Sequence, residues 1–134
     1  MQAKVAWCGD LKFIGTSGSG HSVIMDGNQG EHAPSPMEMV LMSVASCSSV
    51  DVVSILQKAR QAVEHCEVEI DGERADAVPA VFTKIHLHFK VSGRDVAESH
   101  VERAVRLSAD KYCSVSIMLG ASVEITHSFS VHES

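Results

Sequence analysis

The sequence predicts an α+β fold with its elements in the order βββ-α-ββ-α-α-β. Polar and apolar residues alternate in six short stretches, and one long stretch is apolar without a helix-breaking residue. The strands come in runs separated from the helices, which favours α+β over a doubly wound parallel sheet. With 134 residues, 45% of them hydrophobic and 21% charged, the chain fits one soluble domain, 1–134.

A three-stranded meander is predicted for residues 3–25. Gly9-Asp10 separates two runs of alternating apolar residues, which is a hairpin signal. The glycine- and serine-rich stretch 15–20 predicts the second turn, and the glycine-rich stretch 26–34 predicts a loop.

The long apolar stretch predicts a central helix that runs to about Arg60. Ser35, Pro36 and Glu38 match a capping box, with Ser35 at the N-cap and Glu38 at position N3. The first half is apolar on every side, as expected for a buried helix. A monomer of this size would struggle to surround a helix of ~35 Å, so an intertwined dimer is expected.

Two strands should follow the central helix. Alternation at 66–70 places Cys66 and two branched residues on one face. In the stretch 81–91 the predicted inward residues are all apolar: Val81, Ile85, Leu87, Phe89 and Val91.

The remaining segment predicts two helices and a final strand. The first helix begins near Asp95 and ends near Asp110, and a short helix runs from Cys113 to Gly120. Apolar alternation over 123–131 predicts the last strand.

Charge and hydropathy restrict the partners and the compartment. The net charge of −6, with scattered lysines and arginines, argues against a nucleic-acid partner. No run of ~18 uncharged apolar residues indicates a membrane span, and the first residues lack a signal-peptide pattern. We therefore expect a cytoplasmic protein without a membrane partner, in which cysteines are core thiols, ligands or redox groups.

Of the four cysteines, Cys113 shows the clearest sign of reactivity. It stands near the start of a short helix and beside Lys111, and both features stabilise a thiolate, although a buried inert thiol is the alternative. Cys47 lies among serines in the middle of the long helix, where a structural role is as plausible as a functional one. Cys8 is expected at a strand edge and Cys66 in the core. Spacing alone does not show that Cys47 meets Cys113.

No motif for a metal or a cofactor is present. The cysteines and histidines lack zinc spacing, and there is no phosphate-binding loop or nucleophile elbow. His86 and His88 share a strand face with Lys84 and Lys90, which favours a solvated surface because cations repel a metal. We expect neither a cofactor nor a metal.

Three motifs resemble the OsmC/Ohr family, and in particular its small YhfA-like branch. They are the stretch from Ser35 to Met42 followed by Cys47, the stretch 55–60, and Tyr112-Cys113-Ser114-Val115-Ser116. The resemblance covers essentially the whole chain. It implies an OsmC-like α+β homodimer in which two chains exchange amino-terminal strands, with long central helices between two antiparallel sheets and the sites at the interface.

The resemblance also implies thiol-dependent reduction of hydroperoxides, often organic ones. Cys47 would be the peroxidatic cysteine and Cys113 the resolving cysteine, with an external dithiol as reductant. Glu38 is the candidate for the family's catalytic glutamate. This function requires contact between the two cysteines and a lowered pKa of Cys47.

One departure from the family pattern keeps a second function open. The family's peroxidases use an arginine from the amino-terminal part, whereas no arginine precedes Arg60 in this chain. The alternative is a catalytically weak or inactive dimer that binds a small apolar or thiol ligand at its interface. Methionines suit such a cleft because they adapt to varied ligands, and the candidates are Met37, Met39 and Met42.

Overall fold

A computed structural model describes all 134 residues and confirms the α+β class and the predicted element order. The chain divides into two compact units, residues 1–40 and 41–134. The elements, in chain order, are β1 (Ala3–Trp7), β2 (Lys12–Ser17), β3 (Ser22–Asp26), α1 (Pro36–Lys58), β4 (Ala62–Arg74), β5 (Phe82–Arg94), α2 (Glu98–Leu107), a π-helical turn (Ser108–Tyr112), α3 (Ser114–Leu119) and β6 (Glu124–Glu133).

In the first unit, β1, β2 and β3 form the predicted antiparallel meander. The second turn is shorter than predicted, because Gly15 lies inside β2 and pairs with Val5 and Val23. A side chain at Gly15 would place its Cβ 3.0 Å from Cε of Met25. Gly15 therefore makes room for the side chain of Met25 and is not part of the turn.

Both faces of this meander carry exposed apolar side chains. Val5, Trp7 and Val23 lie on one face, because residues paired directly across antiparallel strands point to the same side. Ile14 and Ile24 pair on the opposite face. Trp7 is 69% exposed, and the other four are exposed as well. Apolar surface of this kind is typical of an interaction site.

Helix α1 buries one stripe of residues four apart: Val44, Ser48, Val52 and Leu56. The sequence predicted a helix buried on every side, but within a single chain α1 is buried on one side only. Val50, for example, is 68% exposed. By length and composition alone α1 could cross a membrane, with a mean hydropathy of 1.9 over its most apolar stretch. The same length and composition occur in core helices, and the fully buried stripe is typical of a core helix.

The second unit contains the sheet β4-β5-β6. Strands β4 and β5 are antiparallel, but β5 and β6 are parallel, so the expectation of two antiparallel sheets is wrong for this pair. The physical reason is the long connection from β5 to β6 through α2, the π-helical turn and α3. A crossover of this length returns the chain to the same end of the sheet.

The inward face of β5 is fully apolar, as predicted, except at its start. The pairing of β4 and β5 is irregular between Glu73 and Arg74, where Arg74 pairs with Phe82. As a result Phe82 is buried and Val81 is exposed, so the prediction that Val81 points inward is wrong.

The predicted second helix is interrupted before its expected end. α2 stops at Leu107, and the π-helical turn continues the chain to Tyr112. Cys113 then caps α3 at its start, and Gly120 caps it at its end, which confirms both predicted bounds of the short helix. π-Helical turns often occur at functional sites, and this one leads directly to Cys113.

Candidate thiol site

The structure brings Cys47 of α1 and Cys113, the residue that caps α3, close enough for each thiol to shift the pKa of the other. The π-helical turn sets the position of Cys113, because its amide donates to the carbonyl oxygen of Ser108 at 2.8 Å. The predicted pair thus shares one site although 66 residues separate the two positions in the sequence.

Cys113 lies among buried hydrogen-bond donors from Ser48 and Ser116, which we call the donor ring. The hydroxyl of Ser48 donates to its Sγ at 3.2 Å, and the amide of Ser116 donates to the same sulfur at 3.4 Å. The hydroxyls of Ser48 and Ser116 lie 3.5 Å apart. Ser48 and Cys113 are 0% exposed and Ser116 is 4% exposed. One buried hydroxyl group and one backbone amide therefore donate to the same sulfur atom.

These donors decide the ionisation of Cys113. Burial by itself raises the pKa of this thiol, but the hydrogen bonds from Ser116, Ser48 and Cys47 outweigh burial and lower the pKa below its ordinary value. A hydrogen bond to the charged form stabilises that form. Cys113 is therefore the more acidic thiol of the pair.

Cys47 is half-buried and has fewer donors than Cys113. Burial raises its pKa, the neighbouring Cys113 and the charge of Asp51 raise it further, and the amide of Val115 opposes them. Of the two thiols, Cys47 is therefore the one that holds its proton more tightly. A lowered pKa of Cys47, which the peroxidase function requires, is not found in the single chain.

A half-open recess of about 440 Å³ is lined by Asp51 and by Tyr112, the residue before Cys113, although neither thiol lines it. Its size is within the ~300–1,000 Å³ usual for ligand pockets. Asp51 follows Cys47 by one helical turn and lines the recess, and its Oδ2 accepts a hydrogen bond from Ser108 at 3.0 Å. Two cations also line it, Lys58 and Arg103. The other lining residues are Ser54, Ile55, Ala59, Leu107 and Tyr112.

Glu38 has a structural role in the capping box of α1. Its Oε1 accepts from the amide of Ser35 at 2.9 Å, and its own amide donates to Oγ of Ser35 at 3.2 Å. The hydrogen bonds from Ser35 lower the pKa of Glu38. The predicted cap is confirmed, and a catalytic role of Glu38 stays a prediction.

The other two cysteines lie outside the donor ring. Cys8 is exposed, and Cys66 is half-buried on β4 with a pKa raised by burial. The sequence indicated serines around Cys47 as hydroxyl donors, and the structure selects Ser48 but directs it to Cys113. The sequence analysis missed Ser116 and Asp51, although Ser116 stands one helical turn after Cys113, where its amide can reach the capping side chain.

The histidines of β5 are engaged with hydroxyl groups of β6. His86 contacts Thr126 at 2.6 Å and Ser128 at 2.8 Å, and His88 contacts Ser128 at 2.7 Å. No group of three or more His, Cys, Asp or Glu side chains is arranged as metal ligands.

Comparison with known proteins identifies the family. The family model described as OsmC-like protein matches residues 27–128. The chain belongs to the OsmC-like family. It is 58% identical over 131 residues to protein YhfA of Escherichia coli (strain K12), with 98% of each chain covered.

Solved structures of other proteins share the fold. A hypothetical protein from Aquifex aeolicus VF5 is 30% identical with a TM-score of 0.90, and 99% of this chain and 96% of that chain are covered. An organic hydroperoxide resistance protein OsmC from Legionella pneumophila is 17% identical with a TM-score of 0.71, covering 96% and 95%. The second likeness concerns the fold alone.

Proposed function

We propose that the protein reduces hydroperoxides in a two-cysteine cycle in which Cys47 is peroxidatic and Cys113 is resolving. The observation that carries the proposal is the proximity of a half-buried thiol, Cys47, to a fully buried one, Cys113, which is close enough to shift the pKa of Cys47. The half-buried sulfur is the one a peroxide can reach. The buried sulfur is placed to form a disulfide with it. The name of the Legionella pneumophila relative supports the same chemistry in the family.

In this cycle the proton of the Cys47 thiol moves first to Cys113 and then to the alcohol product. Cys47 passes its proton to the Cys113 thiolate, and the Cys47 thiolate then attacks the terminal oxygen of the hydroperoxide. The O–O bond breaks, Cys47 becomes a sulfenic acid, and the alkoxide takes the proton from Cys113 to leave as an alcohol. The Cys113 thiolate attacks the sulfenic sulfur and expels hydroxide, which forms the disulfide. An external dithiol restores both thiols by exchange.

The raised pKa of Cys47 makes this cycle slow at neutral pH. Only the thiolate is the nucleophile, and little of it is present well below the ordinary thiol value of 9.0. The rate of peroxide reduction should therefore increase as the pH rises from neutral toward that value.

The recess lined by Asp51, Ile55 and Leu107 is suited to the organic part of a hydroperoxide. It adjoins the site through Asp51, and Tyr112, the residue before Cys113, also lines it. Apolar walls with a few polar groups are typical of small-molecule sites.

We further propose that the active form is a cytoplasmic homodimer. The apolar residues exposed on both faces of the meander and on α1 need a partner, and a second copy is the occupant that the family resemblance implies. A reducing compartment supplies the dithiol that the cycle needs.

Peroxide consumption with a dithiol reductant tests the proposal. We expect wild-type protein to consume cumene hydroperoxide catalytically, and Cys47→Ser to lose that activity. Cys66→Ser is the matched control, because Cys66 is also half-buried but lies outside the donor ring. Wild-type activity in Cys47→Ser, or none in the wild type, would contradict the proposal.

The raised pKa of Cys47 also favours the alternative, a non-peroxidatic dimer that binds an apolar or thiol ligand. Exposure of Met42 in the single chain agrees with an adaptable apolar surface. Titration of the thiols with an alkylating reagent, from neutral pH upward, separates the two functions. A Cys47 that reacts faster as the pH rises supports the peroxidase, and a Cys47 that stays inert over the same range supports the binding protein.

A further inference from the structure

The surroundings of the two sulfur atoms are unequal in a way that bears on the oxidised protein. Sγ of Cys113 accepts hydrogen bonds from the hydroxyl of Ser48 and the amide of Ser116, and Cys113 is fully buried. Cys47 receives one amide, from Val115, and is half-buried. The sulfur of Cys47 is thus accessible, and the hydrogen bonds to the sulfur of Cys113 stabilise a negative charge on it.

We propose that the Cys47–Cys113 disulfide is a one-sided exchange centre that small external thiols attack at Cys47, with Cys113 as the leaving thiolate stabilised by Ser48 and Ser116. This inference deepens the proposed function, on which it rests only in using the same disulfide. It assigns Ser48 and Ser116 a role in the exchange, because their groups contact the sulfur that receives the electrons.

The exchange step balances as a nucleophilic substitution at sulfur. The thiolate of a low-molecular-weight thiol forms a bond to Sγ of Cys47, the S–S bond breaks, and its electron pair goes to Sγ of Cys113. The product is a mixed disulfide on Cys47 and a free Cys113 thiolate. A second thiol attacks the small-molecule sulfur and releases Cys47 as a thiolate.

Two physical arguments fix this direction. Disulfide exchange is faster when the leaving thiol has the lower pKa and when the attacked sulfur is accessible. Access selects Cys47 as the attacked sulfur, and the donors select Cys113 as the leaving group. The lowered pKa of Cys113 agrees with the geometry.

Buried hydroxyl groups normally satisfy their hydrogen bonds with backbone or side-chain oxygen. Ser49, the next residue on α1, does so, with Oγ donating to the carbonyl oxygen of Ala45 at 2.7 Å. Ser48 instead donates to a sulfur. Ser49→Ala is therefore a matched control for Ser48→Ala, since it makes the same chemical change on the same helix but removes a hydroxyl that does not contact Cys113.

The first experiment locates the mixed disulfide. The disulfide is made with diamide, so that no peroxide chemistry is needed. The oxidised protein then reacts with reduced glutathione, and acid-quenched samples are mapped by mass spectrometry. Of the two site cysteines, we expect glutathione on Cys47 alone. In reactions with oxidised glutathione, with Cys8 and Cys66 also replaced by serine, Cys113→Ser should form the adduct on Cys47, and Cys47→Ser should form none on Cys113.

The second experiment measures the contribution of the donors. We expect Ser48→Ala to slow reduction of the disulfide about tenfold, the scale of one hydrogen bond to a charged group. Ser116→Ala keeps the amide that donates to Cys113 and removes only the hydroxyl beside that of Ser48, so it should slow reduction by a smaller factor. Each should also move the pH profile of Cys113 ionisation to higher pH, read from thiolate absorbance in the Cys47→Ser background. Ser49→Ala should change neither quantity, and circular dichroism checks that each variant is folded.

Glutathione on Cys113, equal adducts on both cysteines, no diamide-induced bridge, or wild-type exchange rates in both serine variants would overturn the inference. A protein that reduces no hydroperoxide but shows exchange at Cys47 would overturn the proposed function and leave this inference standing. A protein that reduces hydroperoxide but exchanges at Cys113 would do the reverse.

Discussion

Replacing Ser108 with alanine removes a buried hydrogen bond that ties the π-helical turn to α1. The Ser108 hydroxyl is 3.0 Å from Oδ2 of Asp51 and 3.4 Å from the carbonyl oxygen of Ser48, and Ser108 is 1% exposed. The same turn positions Cys113 near Cys47, so the hydrogen bond between Ser108 and Asp51 contributes to the geometry of the thiol site.

The expected loss of stability follows from these contacts. A hydrogen bond to a charged group contributes about 1.5–3 kcal/mol. Asp51 is half-buried and can recover water in the variant, so we expect a loss near the lower end, about 1–2 kcal/mol. With a urea m-value of ~2 kcal/mol/M, the unfolding midpoint should fall by roughly 0.5–1 M.

Urea unfolding at one protein concentration measures this loss, and a double-mutant cycle with Asp51→Ala isolates the bond. We expect a coupling energy of about 1 kcal/mol or more between the two positions. Ser46→Ala is the control, because the Ser46 hydroxyl is exposed and bonds only a carbonyl oxygen 3.3 Å away. Strict additivity of Ser108→Ala and Asp51→Ala would refute the reasoning.

Three further predictions concern the core, the helix cap and a buried histidine. Leu56→Ala should lower the free energy of unfolding by about 2–5 kcal/mol in urea titrations, because Leu56 is fully buried; a loss under ~1 kcal/mol would contradict its place in the core. Glu38→Gln should preserve the free energy of unfolding, because glutamine also completes the capping box with Ser35. The rate of Cys47 oxidation by peroxide should be unchanged as well. A slower rate at unchanged stability would give Glu38 a catalytic role. Burial, and then the charge of His86, lower the pKa of His127 below its ordinary value of 6.5. The unfolded chain therefore binds a proton more readily, and stability should fall as the pH drops through 6.5 toward the folded-state pKa. His127→Phe should remove this slope in unfolding measured across that range, and an unchanged slope would show that another group causes it.

The element order could be predicted because each element carries a local signal. The capping box, the unbroken apolar stretch of α1 and the alternation in β5 depend on neighbouring residues only. The parallel direction of β6, in contrast, depends on where a long crossover returns the chain, and alternation is the same in either direction. Val81 was misplaced for a similar reason, because an irregular register depends on the partner strand.

The thiol site was only half predictable for the same physical reason. Cys47 and Cys113 could be proposed from their motifs, but which thiol holds the proton depends on donors brought together from α1 and α3. Ser48 and Ser116 are 68 positions apart in the sequence and meet only in the fold. The lowered pKa of Cys113 agrees with the stabilised thiolate that its local sequence predicts, whereas the raised pKa of Cys47 depends on the packed structure.

Disulfide mapping after one equivalent of cumene hydroperoxide tests the central claim most directly. Reduced wild-type protein, Cys47→Ser and Cys113→Ser are treated alike and analysed by non-reducing mass spectrometry, with a sulfenic-acid trap in the last variant. We expect a Cys47–Cys113 bridge in the wild type, sulfenic acid on Cys47 in Cys113→Ser, and faster reaction at higher pH. Thiols that survive, or that oxidise slowly and at random among the four cysteines, would contradict a two-cysteine peroxidase.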